Sequence, residues 1–463
     1  MNAWWQGISL VGGPLPLVVD LAQLLLVLAV VTLVVLDRRR GTSHRRRRLI
    51  VVLGSGALGS AVGLALCWLL SDQLNLFEVT LSPISRSWVA AAFAGVGIAV
   101  AAIALTGWRG RLVAGVTIAA SLLAGTVGVN ADFGQYTTVG SLSDHAVAAP
   151  LPASVLAHQA LGAPGSGRRA TLTVAPSSSR GSDRAASSQA TPAALHGLVG
   201  SGLVGSVAIP GTVSHFAARR AYVYLPPAAL VSHPVALPVI VMLSGQPGSP
   251  GNVISSGNIA AIFDAYARTH NGLAPIVVAA DQLMAPQNNP MCVDGGLGNS
   301  ATYLTVDVPN WIRTHLTVKT APADWAIAGF SQGGTCSIQL GSQHPSLFAN
   351  IIDVSGQLAP MNGSLQHTIA VGFHGDAAAY RAAMPESVLA AKAPYRQTVA
   401  VFGAGQLDAR YGPVAAAMSV AARQAGIHAT RVVSPGTAHD WHTVQWVLKN
   451  ALTPIFQHMG LQP

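Results

Sequence analysis

Three residues in the second half of this 463-residue chain have the types and the order of a serine nucleophile, its acid and its base. Ser331 is the central residue of a G-x-S-x-G sequence, and Asp408 and His439 follow it along the chain. A serine hydroxyl becomes a nucleophile when a histidine removes its proton and a carboxylate holds that histidine in the useful tautomer. The three residues are therefore candidates for acyl-transfer chemistry on an ester.

The G-x-S-x-G sequence has the neighbours that a nucleophile elbow requires. Residues 325–328 (WAIA) are typical of a short buried strand, and residues 334–341 favour a helix. Side chains at Gly329 and Gly333 would collide with the neighbouring strand and helix, so glycine is expected at both positions. The first N–H groups of the helix would then point at the oxyanion that forms during the reaction.

The acid and the base follow predicted strands, as the chain order of α/β-hydrolases requires. Residues 398–402 are predicted to form a strand that leads into the loop carrying Asp408. Residues 428–433 are predicted to form the next strand, and a glycine turn then leads to His439, just ahead of the last helix. We therefore interpret Asp408 as the acid and His439 as the base.

Three nearby residues are alternatives for these roles. His442 is expected on the last helix, where a histidine is more often packed or solvated than catalytic. Asp440 and Asp376 each precede a predicted helix, and this position favours an N-cap.

The oxyanion hole is expected to combine the backbone N–H groups of Gln332 and Gln246, because Gln246 follows the strand predicted at 239–243.

Strands and helices alternate through this part of the chain. Further strands are predicted at 220–225, 275–280 and 351–354, and helices at 252–269, 301–315, 413–425 and 441–455. Alternation of this kind indicates a mostly parallel sheet covered by helices on both faces, the α/β-hydrolase class. Ligands of such sheets bind at the carboxyl ends of the strands, where the elbow lies.

The composition indicates a membrane-embedded part. Hydrophobic residues make up 51% of the chain and charged residues only 9%. Four apolar runs, at 15–36, 49–71, 87–107 and 112–129, are each near the length of about 20 residues that a spanning helix needs. The sequence therefore predicts a four-helix transmembrane region over residues 1–130.

The net charge of +9 comes mainly from arginines in two loops between these runs. The first loop, 37–48, carries seven arginines, and the second, 108–111, carries two. Arginines that flank apolar runs are typical of cytoplasmic anchoring and do not indicate a nucleic-acid surface. The N-terminus and everything after the fourth run are then expected outside the cytoplasm. Asp20 lies within the first run, where an acidic residue is a candidate for a functional role. Packing against another helix, or a position near the outer end of the run, is the favoured interpretation.

The segment between these regions is predicted to be a linker. Residues 131–212 are rich in Ala, Ser, Gly and Pro in their central part, a composition that buries little apolar surface. We expect the α/β-hydrolase domain to occupy residues 213–463.

Two of the three cysteines belong to the part expected outside the cytoplasm. Cys292 and Cys336 form a candidate disulfide in that oxidising environment, and two buried thiols are the alternative. Cys67 lies in the second apolar run and is expected to be inert. The chain has no H-E-x-x-H and no paired C-x-x-C sequence, so neither a metal site nor a cofactor is expected.

Three segments carry a resemblance to a known family. Residues 329–336 (GFSQGGTC), 307–312 (DVPNWI) and 436–441 (GTAHDW) resemble the putative-esterase family of α/β-hydrolases, over about residues 213–463. That family includes esterase D and the mycolyltransferases of the actinobacterial cell envelope, and the four apolar runs with the linker resemble its actinobacterial membrane members. An aspartate as the acid and the sequence of residues 244–246 (SGQ) depart from the mycolyltransferase pattern.

The resemblance implies ester chemistry through an acyl-enzyme. The expected function is that of a membrane-anchored extracytoplasmic serine esterase acting on a lipid or cell-envelope ester. An acyltransferase of the mycolyltransferase type and a non-catalytic hydrolase-fold membrane scaffold are the alternatives. The sequence predicts association with the membrane and indicates no particular protein partner.

Overall fold

A computed structural model describes residues 4–36, 45–76, 79–142, 147–162 and 200–461. The chain divides into two compact units. The first contains residues 1–147 together with two short segments, 404–412 and 434–443. The second contains residues 148–403, 413–433 and 444–463. Asp408 and His439 belong to the first unit, and Ser331 belongs to the second.

Four long apolar helices dominate the first unit. They are α1 (Pro14–Leu36), α2 (Arg45–Cys67), α3 (Pro83–Leu105) and α4 (Trp108–Phe133). A wider helical turn, Trp68–Gln73, extends α2. Each helix is long and apolar enough to cross a membrane, as predicted. Part of the first arginine-rich loop, residues 37–44, lies outside the described residues.

Small residues let these helices approach closely. A side chain at Gly97 of α3 would overlap the carbonyl of Ser55 in α2, and one at Gly59 of α2 would overlap that of Phe93 in α3. Close contact at small residues is a usual way for helices to associate in a membrane, where burial of apolar surface gives little driving force.

An eight-stranded sheet lies in the chain that follows the four helices. The strands are β1 (Leu203–Val207), β2 (Ala221–Leu225), β3 (Val239–Leu243), β4 (Ile276–Ala279), β7 (Trp325–Phe330), β8 (Asn350–Val354), β9 (Val399–Gly405) and β10 (His428–Ser434). Their order in the sheet is β1-β2-β4-β3-β7-β8-β9-β10, and a separate hairpin contains β5 (Asp294–Gly295) and β6 (Gly298–Asn299).

Pairing from β4 through β3, β7 and β8 to β9 is parallel, whereas β1 and β2 are antiparallel to their neighbours. The central strands β3, β4, β7 and β8 are buried along their whole length and are rich in valine, isoleucine and alanine. Continuous apolar runs of this kind are typical of parallel strands covered on both faces. The sheet confirms the predicted α/β-hydrolase class.

Helices connect and follow these strands. They are Ala153–Gly162, Pro250–Ser255, Ile259–Thr269, Ser300–Thr302, Val308–His315, Gln332–Gln343, Leu365–Phe373, Ala377–Ala383, Pro385–Lys392, Gly412–Gln424, Trp441–Asn450 and Thr453–His458. The segment predicted as one helix at 301–315 is interrupted, because a wide turn, Tyr303–Asp307, precedes the helix Val308–His315 that contains Pro309. Asp307 accepts hydrogen bonds from the backbone N–H groups of Val213 (2.9 Å) and Ser214 (3.0 Å).

Two segments predicted to be linker have regular structure. The helix Ala153–Gly162 and the strand β1 both lie within residues 131–212, and β1 pairs along its length with β2. Gly205 and Ser206 give β1 the composition of a linker, so the strand has no apolar alternation by which it could be recognised. The central part of the predicted linker, residues 163–199, lies outside the described residues.

Candidate active site

Ser331 occupies a sharp turn between β7 and the helix Gln332–Gln343, which we call the nucleophile helix. Its backbone angles are φ +56° and ψ −117°, in a region that residues other than glycine rarely adopt. The Ser331 N–H donates to the carbonyl of Val354 in β8 at 2.8 Å, and its own carbonyl accepts from Thr335 N–H at 3.0 Å. These bonds to strand and helix hold the strained residue in place.

The two glycines of the motif are explained by close backbone contact. A Cβ atom on Gly329 would overlap the carbonyl of Gly333, and a Cβ atom on Gly333 would overlap the carbonyl of Ser244. The prediction that side chains would collide at these positions is confirmed, and the collisions are with backbone atoms that cannot move aside.

The loop after β3 lies next to the elbow. A Cβ atom on Gly245 would be 3.3 Å from Cβ of Ser331, which brings the segment containing Gln246 to the nucleophile. Gln332 is the first residue of the nucleophile helix, so its N–H is among those with no partner inside the helix. The expected oxyanion donors thus belong to two segments that meet beside Ser331.

A buried glutamine joins these two segments. The side-chain amide of Gln282, in the segment after β4, donates from Nε2 to the carbonyl of Ser244 at 2.6 Å and to Oε1 of Gln332 at 3.0 Å. Gln282 is completely buried. Gln282 is not among the residues predicted for the site, although a polar side chain just beyond the carboxyl end of a parallel strand is a recognisable signal.

A disulfide bond lies beside the same network. Cys292 and Cys336 are bonded, so the loop after β4 is tied to the nucleophile helix. Nε2 of Gln332 donates to Oδ1 of Asn289 at 3.0 Å and lies 3.2 Å from Sγ of Cys336. Since the Gln332 side chain has these partners, its orientation at the start of the helix is fixed.

The predicted acid and base are hydrogen-bonded to each other. Oδ2 of Asp408 lies 3.0 Å from Nδ1 of His439, and the two residues are 3% and 6% exposed. This contact places a proton on Nδ1 and leaves Nε2 as the basic nitrogen. Asp408 also accepts from the N–H of Tyr411 through Oδ1 at 3.0 Å, and the Tyr411 ring lies 4.5 Å from the imidazole.

Backbone hydrogen bonds join the two loops that carry this pair. We call residues 404–412 the acid loop and residues 434–443 the base loop. Leu407 N–H donates to the carbonyl of Thr437 at 2.8 Å, and Gln406 N–H donates to that of Ser434 at 2.8 Å. Because the loops are bonded to each other, a displacement of one would also displace the other.

The three residues considered as alternatives to Asp408 and His439 have other partners or positions. Asp440 accepts from Ala438 N–H at 2.7 Å and from Thr443 N–H at 2.8 Å, as an N-cap does, and burial raises the pKa of its carboxyl. Asp376 accepts from two N–H groups at the start of the next helix. His442 is exposed on the last long helix.

Asp353 is a buried carboxyl that sequence analysis did not single out. It is 2% exposed, in β8 opposite Gly329, and accepts from Gly356 N–H at 2.9 Å. Burial raises its pKa to about 7, because the charged form loses its hydration. Among the described residues, no group of three or more histidines, cysteines or carboxylates could hold a metal ion.

Comparisons with known proteins identify the family. The model of the family described as putative esterase matches residues 217–449. An uncharacterized protein of Corynebacterium glutamicum is 39% identical over 178 residues, which are 38% of this chain and 42% of that protein. The chain therefore spans about two fifths of the length of the curated relative it matches.

Solved structures with a similar chain path include a ferulic acid esterase, at 16% identity and a TM-score of 0.48, covering 56% of this chain and 98% of that one. An S-formylglutathione hydrolase from Agrobacterium tumefaciens has 17% identity and a TM-score of 0.47, covering 57% and 96%. The family match spans half of the chain and includes Ser331, Asp408 and His439, so this chain belongs to the putative esterase family.

Proposed function

We propose that this chain is a membrane-anchored serine esterase whose active site lies outside the cytoplasm and cleaves a lipid or cell-envelope ester through an acyl-enzyme. The observation that carries the proposal is the elbow, where Ser331 has a φ of +56° between β7 and the nucleophile helix. A serine kept at such a position needs surrounding structure to maintain the strain, and strain of this kind clusters at active sites.

The proposed reaction begins with proton transfer from Ser331 Oγ to Nε2 of His439. Asp408 accepts a hydrogen bond from the Nδ1–H group and stabilises the imidazolium that forms. Ser331 Oγ then attacks the ester carbonyl carbon, the tetrahedral intermediate collapses, and the alcohol leaves with the proton that the imidazolium returns. Water, activated by the same base, releases the acid in the second half of the reaction.

The proposed oxyanion hole consists of the backbone N–H groups of Gln332 and Gln246. Donors held in advance toward the developing negative charge account for much of the rate enhancement in acyl transfer, about 10²–10³ in kcat for one donor. The position of Gly245, where an added Cβ atom would be 3.3 Å from Cβ of Ser331, supports this assignment, and Gln282 links the two donor segments.

The distribution of arginine supports the proposed orientation in the membrane. Arg45 to Arg48 begin α2, and Arg109 and Arg111 lie at the start of α4, so both groups belong on one side of a membrane that the helices cross in turn. Arginine near helix ends favours the cytoplasmic side. The carboxyl end of α4 and the chain after it then lie outside, close to lipid and envelope esters.

Labelling of intact cells with a membrane-impermeant fluorophosphonate tests this orientation. Labelling from outside in the wild type, and none in Ser331→Ala, is the expected result. Labelling that requires cell lysis would contradict the extracytoplasmic placement. Incubation of the purified chain with lipid extracts then separates hydrolysis, which releases a free acid, from transfer to a second alcohol, which yields a new ester.

A further inference from the structure

The acid and base loops belong to the same compact unit as the four apolar helices. Both loops contact residues at the ends of those helices, and each loop has its own partner.

The base loop is bonded to the carboxyl end of α4. Nε1 of Trp441 donates to Oε1 of Gln135 at 2.9 Å, and Nε2 of His442 lies 3.0 Å from the carbonyl oxygen of Ala131. Trp441 is only 2% exposed and is two residues from His439 in the chain. Its position therefore strongly restricts where the imidazole can lie.

The acid loop is bonded to the segment between α2 and α3. The guanidinium of Arg410 donates to Oδ1 of Asn75 and lies 5.7 Å from the ring centre of Tyr411. The same Tyr411 ring contacts His439, and the backbone N–H of Tyr411 donates to Asp408. The acid loop thus gives Asp408 and His439 a second connection to the helical region.

A narrow cleft lies where the base loop meets α3 and α4. It is lined by Thr80, Ser82, Asp132, Phe133, Ala438, His439 and Asp440. Oδ2 of Asp132 accepts hydrogen bonds from the hydroxyl groups of Ser82 and Ser85. Residues of the helical region therefore line one side of the cleft that contains His439. The hydrogen bonds of Asp132 with Ser82 and Ser85 fix the positions of these residues.

From these contacts we propose that the four-helix region is a structural part of the acid–base pair as well as an anchor. Gln135 and Trp441 are positioning residues, which hold the base loop so that Nε2 of His439 is oriented for proton transfer. The inference rests on the proposed function, because it assigns a role to the helices in the reaction of Ser331.

Three variants of the full-length protein test this role, with a short soluble ester as substrate. Gln135→Leu removes the acceptor, Trp441→Phe removes the donor while keeping a ring, and the third variant combines both changes. Trp446→Phe, on the same helix, is the matched control. Misplacement of a catalytic group by about 1 Å costs about 100-fold in rate, so we expect each single variant to lose about 10- to 100-fold in kcat with little change in KM.

The double variant separates positioning from general damage. Each change removes the same hydrogen bond, the one between Trp441 and Gln135. The double variant is therefore expected to lose no more activity than either single variant. The rate of fluorophosphonate labelling should fall together with kcat, and the melting temperature of Gln135→Leu should stay near that of the wild type. Trp446→Phe should keep wild-type kcat.

Wild-type kcat in both Gln135→Leu and Trp441→Phe would overturn the inference and leave the helices as an anchor only. If Trp441→Phe does not fold, Gln135→Leu alone decides between the two results. An active Ser331→Ala variant would instead overturn the proposed function, so the two failures are distinguishable.

Discussion

Oδ2 of Asp408 lies 3.0 Å from Nδ1 of His439, and both side chains are almost completely buried. Because the carboxylate only accepts hydrogen bonds, it fixes the imidazole in the tautomer that leaves Nε2 basic. Replacing Asp408 therefore tests the tautomer with little change in shape.

Asp408→Asn is expected to lower kcat by about 10³–10⁴-fold, because the asparagine amide can donate to Nδ1 and hold the wrong tautomer. Steady-state hydrolysis of a soluble ester measures the effect. Asp376→Asn, which changes an exposed N-cap, is the control and should keep wild-type kcat. A loss of less than about 10-fold in Asp408→Asn would show that another residue orients the base.

Two buried glutamines offer a matched pair for the oxyanion hole. Gln282 donates to the Ser244 carbonyl beside the nucleophile. Gln339, which is further along the nucleophile helix, donates to the Cys292 carbonyl at 3.0 Å. Both are completely buried. We expect Gln282→Leu to lower kcat by about 10-fold or more, because the two donor segments are no longer joined.

Gln339→Leu should lower the melting temperature but keep kcat, since its amide donates to the Cys292 carbonyl and does not join the loop after β3 to Gln332. Binding of a boronate inhibitor, which resembles the tetrahedral intermediate, should weaken in Gln282→Leu by about the same factor as kcat. An equal loss of kcat in the two variants would mean that the effect is general destabilisation.

Asp353 should make the stability of the fold depend on pH. Its pKa is raised to about 7 in the folded protein from an ordinary value of 3.8, so between these values the folded state binds the proton that the unfolded state has lost. The stabilisation is then present at low pH and is lost as pH rises toward 7. Asp353→Asn, which is neutral throughout, should unfold with a weaker dependence on pH.

Thermal unfolding at pH 5 and pH 8 measures this difference. The wild type should lose more stability than Asp353→Asn between the two values. Parallel curves for the two proteins would show that Asp353 keeps its ordinary pKa in the fold.

The disulfide between Cys292 and Cys336 should stabilise the fold around the nucleophile helix against unfolding. Loss of a native disulfide costs about 2–4 kcal/mol of unfolding free energy, so Cys292→Ala with Cys336→Ala should unfold at a lower temperature than the wild type. In the unfolded wild type, both cysteines should react with an alkylating reagent only after reduction. Labelling of both without a reductant would contradict the bond.

Features that depend on local structure could be predicted from the sequence. The elbow at Ser331 was recognisable because strand, glycine turn and helix follow one another within a few residues. The four apolar helices were recognisable from length and composition alone. Strand β1 was not recognised, because its pairing with β2 stabilises a segment whose own composition is that of a linker.

The supporting partners could not be predicted from the sequence. Gln135 and Trp441 are 306 residues apart in the chain, and nothing in the local pattern around either residue indicates the other. Gln282 likewise contacts Gln332 across 50 residues. Such contacts depend on how the elements pack, and a single sequence carries no periodic signal for them.

The identity of the nucleophile is tested most directly by the site of covalent labelling. The purified full-length protein is treated with a fluorophosphonate and digested, and the modified peptide is sequenced by tandem mass spectrometry. We predict a single adduct on Ser331, and neither labelling nor ester hydrolysis in a folded Ser331→Ala variant. An adduct on a different residue, or wild-type hydrolysis by Ser331→Ala, would contradict the account.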